Sequence, residues 1–257
     1  MSFGIANNIR SEVRECTPEL LAQALDSPQV ARTCAEIEDA LEKFRRGELL
    51  QDEYETLKAT LKKKLPIFTF HATFKNGRRK NNEAIPSGLS IYDLDHIPNP
   101  REKWAEIETR KEELGILLAH ISPSMEGLRL VFIMPQGMDL AQAQAWMASQ
   151  LGDAQYDSCV KDYARCSFVV PREYVLFMDT DGLFSSQHIV IQTTEGRKNL
   201  GNTKVDVNVD APEILRYALN DNSEGMNGNK ERVDDKMGNG INKEKIKDSV
   251  ELSVLCG

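Results

Sequence analysis

The chain has 257 residues, 40% of them hydrophobic and 28% charged, with a formal net charge of −8. That length holds one substantial domain with appendages, and the hydrophobic share suffices for an ordinary core. The acidic balance excludes a protein that grips nucleic acid through its overall field, and leaves local basic patches as the means of doing so.

No apolar run approaches the roughly 18 residues that span a bilayer, and the opening MSFGIANNIRSEVRE lacks the apolar core of a secretory signal. A soluble, cytoplasmic protein is therefore expected. Cys16, Cys34, Cys159, Cys166 and Cys256 are odd in number and include no C-x-x-C pair, so they read as reduced thiols.

Three zones follow one another. Residues 1–64 read as an N-terminal helical segment. In TPELLAQAL, Thr17 is the expected N-cap and Pro18 the first helical residue. QVARTCAEIEDALEKFRRG spaces Val30, Cys34, Ile37, Leu41 and Phe44 along one stripe. LQDEYETLKATLKKKL places Tyr54, Leu57 and Leu61 on one side and stops before Pro66.

Residues 65–184 alternate strands with helices. IFTFHATF, GLSIYDLDHI, ILLAHIS, GLRLVFIMP and ARCSFVVP read as strands; EKWAEIETRKEELG and DLAQAQAWMASQLG, the latter capped by Asp139, read as helices. The alternation predicts an α+β or mixed α/β domain, with ILLAHIS and GLRLVFIMP paired antiparallel across the short turn PSMEG. Residues 185–257 are rich in Asn, Gly and charge, as in NDNSEGMNGNKERVDDKMGNGINKEK, and read as a low-complexity linker or tail. The closing IKDSVELSVLCG regains apolar character, as a terminal helix or the first turn of a further domain.

In SGLSIYDLDHI, strand periodicity puts Ile91, Asp93 and Asp95 on one face and Tyr92 and Leu94 on the other. Two carboxylates about 7 Å apart suit hard divalent ions such as Mg²⁺ or Mn²⁺; strand-end acids in solvent satisfy the same pattern. In SPSMEGLRLVF, Ser122 and Ser124 offer hydroxyls at a turn, and Arg129 is a lone cation on the following strand. It suits a bidentate phosphate contact if it shares the face of Asp93 and Asp95, and otherwise reads as an exposed hairpin arginine. In YDSCVKDYARCSFVVP, Asp157 or Asp162 ahead of Arg165 suits a third metal-binding acid, although an Asp162–Arg165 ion pair reads equally well.

Residues 61–80 carry seven Lys and Arg and no acid: Lys62, Lys63, Lys64, Lys75, Arg78, Arg79 and Lys80. With Phe68, Phe70 and Phe74 interleaved, the segment suits a template backbone with bases stacked on the rings; the other reading buries the rings and leaves the cations as a solvated face. Asp179 and Asp181 in MDTDGLF repeat the D-x-D string but read as a surface turn.

Taken in order, LKKKLPIFTFHATF, SGLSIYDLDHI, SPSMEGLRLVF and YDSCVKDYARCSFVV resemble the VirE N-terminal domain family, a branch of the archaeo-eukaryotic primase (primase-polymerase) superfamily, over about residues 60–184. The resemblance implies an RRM-like antiparallel or mixed sheet as the catalytic core. It matches Asp93 and Asp95 to the metal motif, Asp157 to the third acid and Arg165 to the arginine after it, and it puts Arg129 where many members have a histidine.

The implied activity is two-metal nucleotidyl transfer from an NTP or dNTP to a 3′-hydroxyl on a DNA template, with Mg²⁺ or Mn²⁺, in the replication of a mobile element. A helicase domain or subunit is the implied partner. A metal-dependent nuclease and a non-catalytic nucleic-acid-binding module are the alternatives.

Overall fold

Two short strands, β1 (Gly4–Ala6) and β2 (Arg14–Glu15), open the chain in a computed structural model that describes residues 2–154, 156 and 160–185. Asp157, Cys159 and the expected tail after residue 185, with Cys256, lie outside the described residues. Three helices follow: α1 (Pro18–Leu25), α2 (Pro28–Arg45) and α3 (Gln51–Lys62). The first two start alike. Thr17 and Ser27 accept hydrogen bonds from the backbone N–H of Leu20 and Val30, each with proline at the next position, where its missing N–H costs nothing. α2 buries Val30, Cys34, Ile37, Ala40 and Leu41, and Phe44 stacks on Tyr54 of α3 at 5.1 Å. Leu57, expected in the buried stripe, is exposed.

The strands β3 (Ile67–Thr69), β4 (Ala72–Phe74), β5 (Ala84–Pro86) and β6 (Leu89–Asp95) come next, followed by α4 (Pro100–Ile107), β7 (Ile116–Ile121), β8 (Gly127–Ile133), α5 (Leu140–Leu151), β9 (Ser167–Phe168), β10 (Val175–Met178) and α6 (Thr180–Phe184). One antiparallel sheet has the order β2-β1-β3-β9 and a second the order β10-β7-β8-β6, while β4 and β5 form a separate hairpin. Because β1 pairs with β3, Ile5 opposite Phe68, residues before and after position 64 share one sheet.

Three sequence expectations change. IFTFHATF is two strands, broken by a turn at Phe70 and His71. The turn is pinned from both sides: His71 Nε2 accepts a hydrogen bond from the N–H of Ile91 (3.1 Å), so its Nδ1 carries the proton that faces the Asp162 carbonyl at 3.3 Å. ARCSFVVP contributes only the two residues of β9. MDTDGLF, expected as a surface turn, ends strand β10 and starts the short α6, which Asp179 caps through the N–H of Gly182 (2.9 Å).

The second sheet is apolar on both faces. Tyr92, Leu94, Leu128, Leu130 and Phe132 pack with Trp104, Ile107 and Met147 from α4 and α5. Ile91, Leu118 and Val131 face the other way, toward Phe3, Leu21, Ile37, Phe68 and Phe70. Two-sided burial explains the nearly continuous apolar runs of β7 and β8, at about 1.5–3 kcal/mol for each large side chain removed from water. No helix among the described residues is long and apolar enough to cross a membrane.

Candidate functional site

At one end of the face that carries Ile91 and Val131, the apolar surface gives way to charge. Antiparallel register sets Asp93 of β6 opposite Arg129 of β8, and Arg129 opposite His120 of β7, so the three stand in one row across adjacent strands. Arg129 is 7% exposed. Its Nε forms an ion pair with Asp93 Oδ1 at 2.9 Å, and its Nη2 donates to Asp95 Oδ1 at 2.9 Å. Arg165, from the segment before β9, donates through Nη2 to Asp93 Oδ2 at 2.7 Å. Both oxygens of Asp93 are thus held by guanidiniums. Asp95, one strand repeat further out, is 46% exposed at its side chain.

One group is left over. Arg129 Nη1 is buried and has no hydrogen-bond partner among the described residues, an expensive state for a cationic donor.

The electrostatics follow from burial and these contacts. Burial alone would raise the Asp93 carboxyl; the charges of Arg129 and Arg165, with the hydrogen bond from Arg165, outweigh it and hold the group below the usual carboxylate range. Desolvation pushes His120 and His71 down to about 4, so both rings are neutral at pH 7. His120 Nδ1 lies 2.9 Å from the Ile121 carbonyl, which can only accept, so Nδ1 carries the proton. Lys62, half-buried at the end of α3, is lowered to about 8 by burial and by the charges of Arg129 and Lys58, against the pull of Asp95 and Glu55.

Beside the row, the β7–β8 turn is closed tightly. The Ser122 N–H donates to the Gly127 carbonyl (2.8 Å), Met125 takes the left-handed conformation at φ 62°, and the hydroxyls of Ser122 and Ser124 lie 3.1 Å apart, bonded to each other. Ser122 is buried. A side chain at Gly127 would come within 3.0 Å of Ser122 Oγ and 3.2 Å of the Leu94 carbonyl.

The basic segment divides. Lys62 joins the charged row, while Lys63, Lys64, Lys75, Arg78 and Lys80 are exposed. Arg79 is turned inward, donating to the carbonyls of Ala164 (3.1 Å) and Ile9 (3.1 Å) and to Cys166 Sγ (2.8 Å). Asn81 bonds to the Asp162 carboxylate and to the N–H of Ala164. Together they fasten the β4–β5 loop to the segment that carries Arg165. Phe68, Phe70 and Phe74 are buried in the core, which corrects the expectation that they stack on bases.

His120 belongs to none of the motifs singled out in the sequence. Counting back from the closed turn would have found it, because Ile121 opposite Leu128 puts His120 opposite Arg129.

Both oxygens of Asp93 face guanidiniums, and among the described residues no three His, Cys, Asp or Glu are placed to hold a metal ion; Asp157, the expected third acid, lies outside those residues.

Residues 60–168 match the family model described as BT4734-like, N-terminal domain. The match corrects the resemblance drawn from the motifs: over nearly the same residues the chain is similar to this family, and not to the VirE N-terminal domain or a primase-polymerase family. No curated protein matches the chain, and no solved structure does.

Proposed function

We propose that the protein handles nucleic acid as a binding module, and that the row around Arg129 grips a backbone phosphate. The observation that carries this reading is the unpartnered, buried Nη1 of Arg129, a cationic donor that a phosphate oxygen would satisfy. Its surroundings support a polyanion. Lys62 stands beside it, Lys63 and Lys64 continue outward from α3, and the loop bearing Lys75, Arg78 and Lys80 is fastened next to Arg165. The succession β6-α4-β7-β8-α5-β10 is the β-α-β-β-α-β order of an RRM-like sheet, from which the fold departs in that β10 pairs with β7 and leaves β6 at the edge.

The test is binding of a fluorescently labelled single-stranded oligonucleotide by anisotropy at several salt concentrations. Arg129→Gln is expected to weaken binding about ten-fold and to reduce the slope of log K against log salt by about one. Wild-type affinity in that variant would sink the proposal.

A second reading, nucleotidyl transfer from an NTP or dNTP to a 3′-hydroxyl, has one observation in its favour: a neutral His120 in the same row as Asp93 and Arg129. Extension of a labelled primer on a template, abolished in Asp93→Asn, supports it; an unchanged primer with dNTPs and Mn²⁺ removes it.

A further inference from the structure

The contacts that occupy Asp93 are at odds with a metal-ligand role and give it another. We infer that Asp93, assisted by Asp95, is a positioning residue that sets Arg129 and Arg165 for a backbone phosphodiester, with no metal ion between protein and phosphate. The inference rests on the phosphate reading of Arg129 given above.

A guanidinium is a planar fork, and fixing two of its nitrogens fixes the direction of the third. Asp93 and Asp95 sit on alternate residues of β6 and so share a face. Asp93 pairs with Nε of Arg129 as an ion pair and Asp95 accepts from Nη2, at 2.9 Å each, which leaves Nη1 as the group without an acceptor among the described residues. Asp93 uses its second oxygen on Arg165 at 2.7 Å, which brings the two guanidiniums to one carboxylate. Beside the site, exposed Asp95 and half-buried Lys62 carry opposite charges. A divalent ion on Asp93 would have to displace both arginines and then sit beside them, a repulsion that low-dielectric surroundings strengthen.

Charge alone and positioning predict opposite signs. Removing an acid beside a phosphate site strengthens anion binding if the acid is only a charge, and weakens it if the acid holds the arginines in place. Binding of the labelled oligonucleotide is therefore compared for wild type, Asp93→Asn, Asp95→Asn and Arg129→Gln, in EDTA and in Mn²⁺, with circular dichroism to confirm folding.

Wild type is expected to bind equally in both media. Asp93→Asn is expected to bind about five-fold or more weakly and Asp95→Asn about two-fold, in EDTA as in Mn²⁺. Should Asp93→Asn fail to fold, Asp95→Asn, whose acid is half exposed, carries the test. Unchanged or tighter binding of the folded aspartate variants in EDTA, or wild-type binding that requires Mn²⁺, overturns the positioning role. In either case a loss in Arg129→Gln leaves the phosphate reading standing, whereas wild-type affinity in Arg129→Gln removes that reading itself.

Discussion

A carboxylate shared by two arginines behaves differently from one in solvent, and Asp93 shows why spacing alone misjudges it. The D-x-D string was legible, as was the face its two acids share, because strand periodicity dictates both. Their partners were not. Arg165 lies 72 positions away from Asp93, and nothing local announces that its side chain reaches back to β6. The buried histidines give this scale its pH dependence. His71 and His120 are lowered to about 4 in the fold, against about 6.5 in an unfolded chain. Between those values the unfolded chain binds protons that the native one refuses, so stability falls as pH drops from about 6.5 toward 4, by up to roughly 3 kcal/mol for each histidine. Urea unfolding at pH 7 and pH 5 checks this. Replacing both histidines with glutamine is expected to flatten the difference, and an undiminished slope in that variant would count against the assignment.

At the scale of elements, helices were read more faithfully than short strands. The Ser/Thr-Pro starts of α1 and α2 and the Asp139 cap of α5 are local signals, each built from a side chain and the N–H groups just after it. The break between β3 and β4 is not local. It depends on His71 meeting the N–H of Ile91, a contact that exists only once β6 is in place. The β7–β8 hairpin was expected from its short turn, but the function of Gly127 was visible only in three dimensions, where it lets β6 and Ser122 approach. Gly127→Ala is expected to destabilise the fold by about 1–3 kcal/mol through overpacking against Ser122 Oγ and the Leu94 carbonyl. Thermal unfolding measures it, and a variant as stable as wild type would show that the turn relaxes freely.

Across the whole described chain, the N-terminal residues are structural participants in the sheet that follows them. β1 lies between β2 and β3, and Phe3 packs against Phe70 (4.9 Å between centroids), Phe184 (5.2 Å) and Phe68 (6.1 Å). Phe3→Ala is expected to cost about 3–5 kcal/mol, read as a drop in the denaturation midpoint with unchanged cooperativity. A loss below 1 kcal/mol would mean that the N-terminal strand is an accessory. The acidic total of the chain concealed this scale as well. Net charge speaks only of the global field, whereas the basic groups of residues 61–80 are local, divided between an exposed rim and groups turned inward.

The staple formed by Arg79 and Asn81 joins that rim to that row. It makes the β4–β5 loop a lever whose short arm ends at Arg165. On the proposed phosphate reading, a polyanion held by Lys75, Arg78 and Lys80 would act through Ala164 and Asp162 on the residue that shares Asp93 with Arg129.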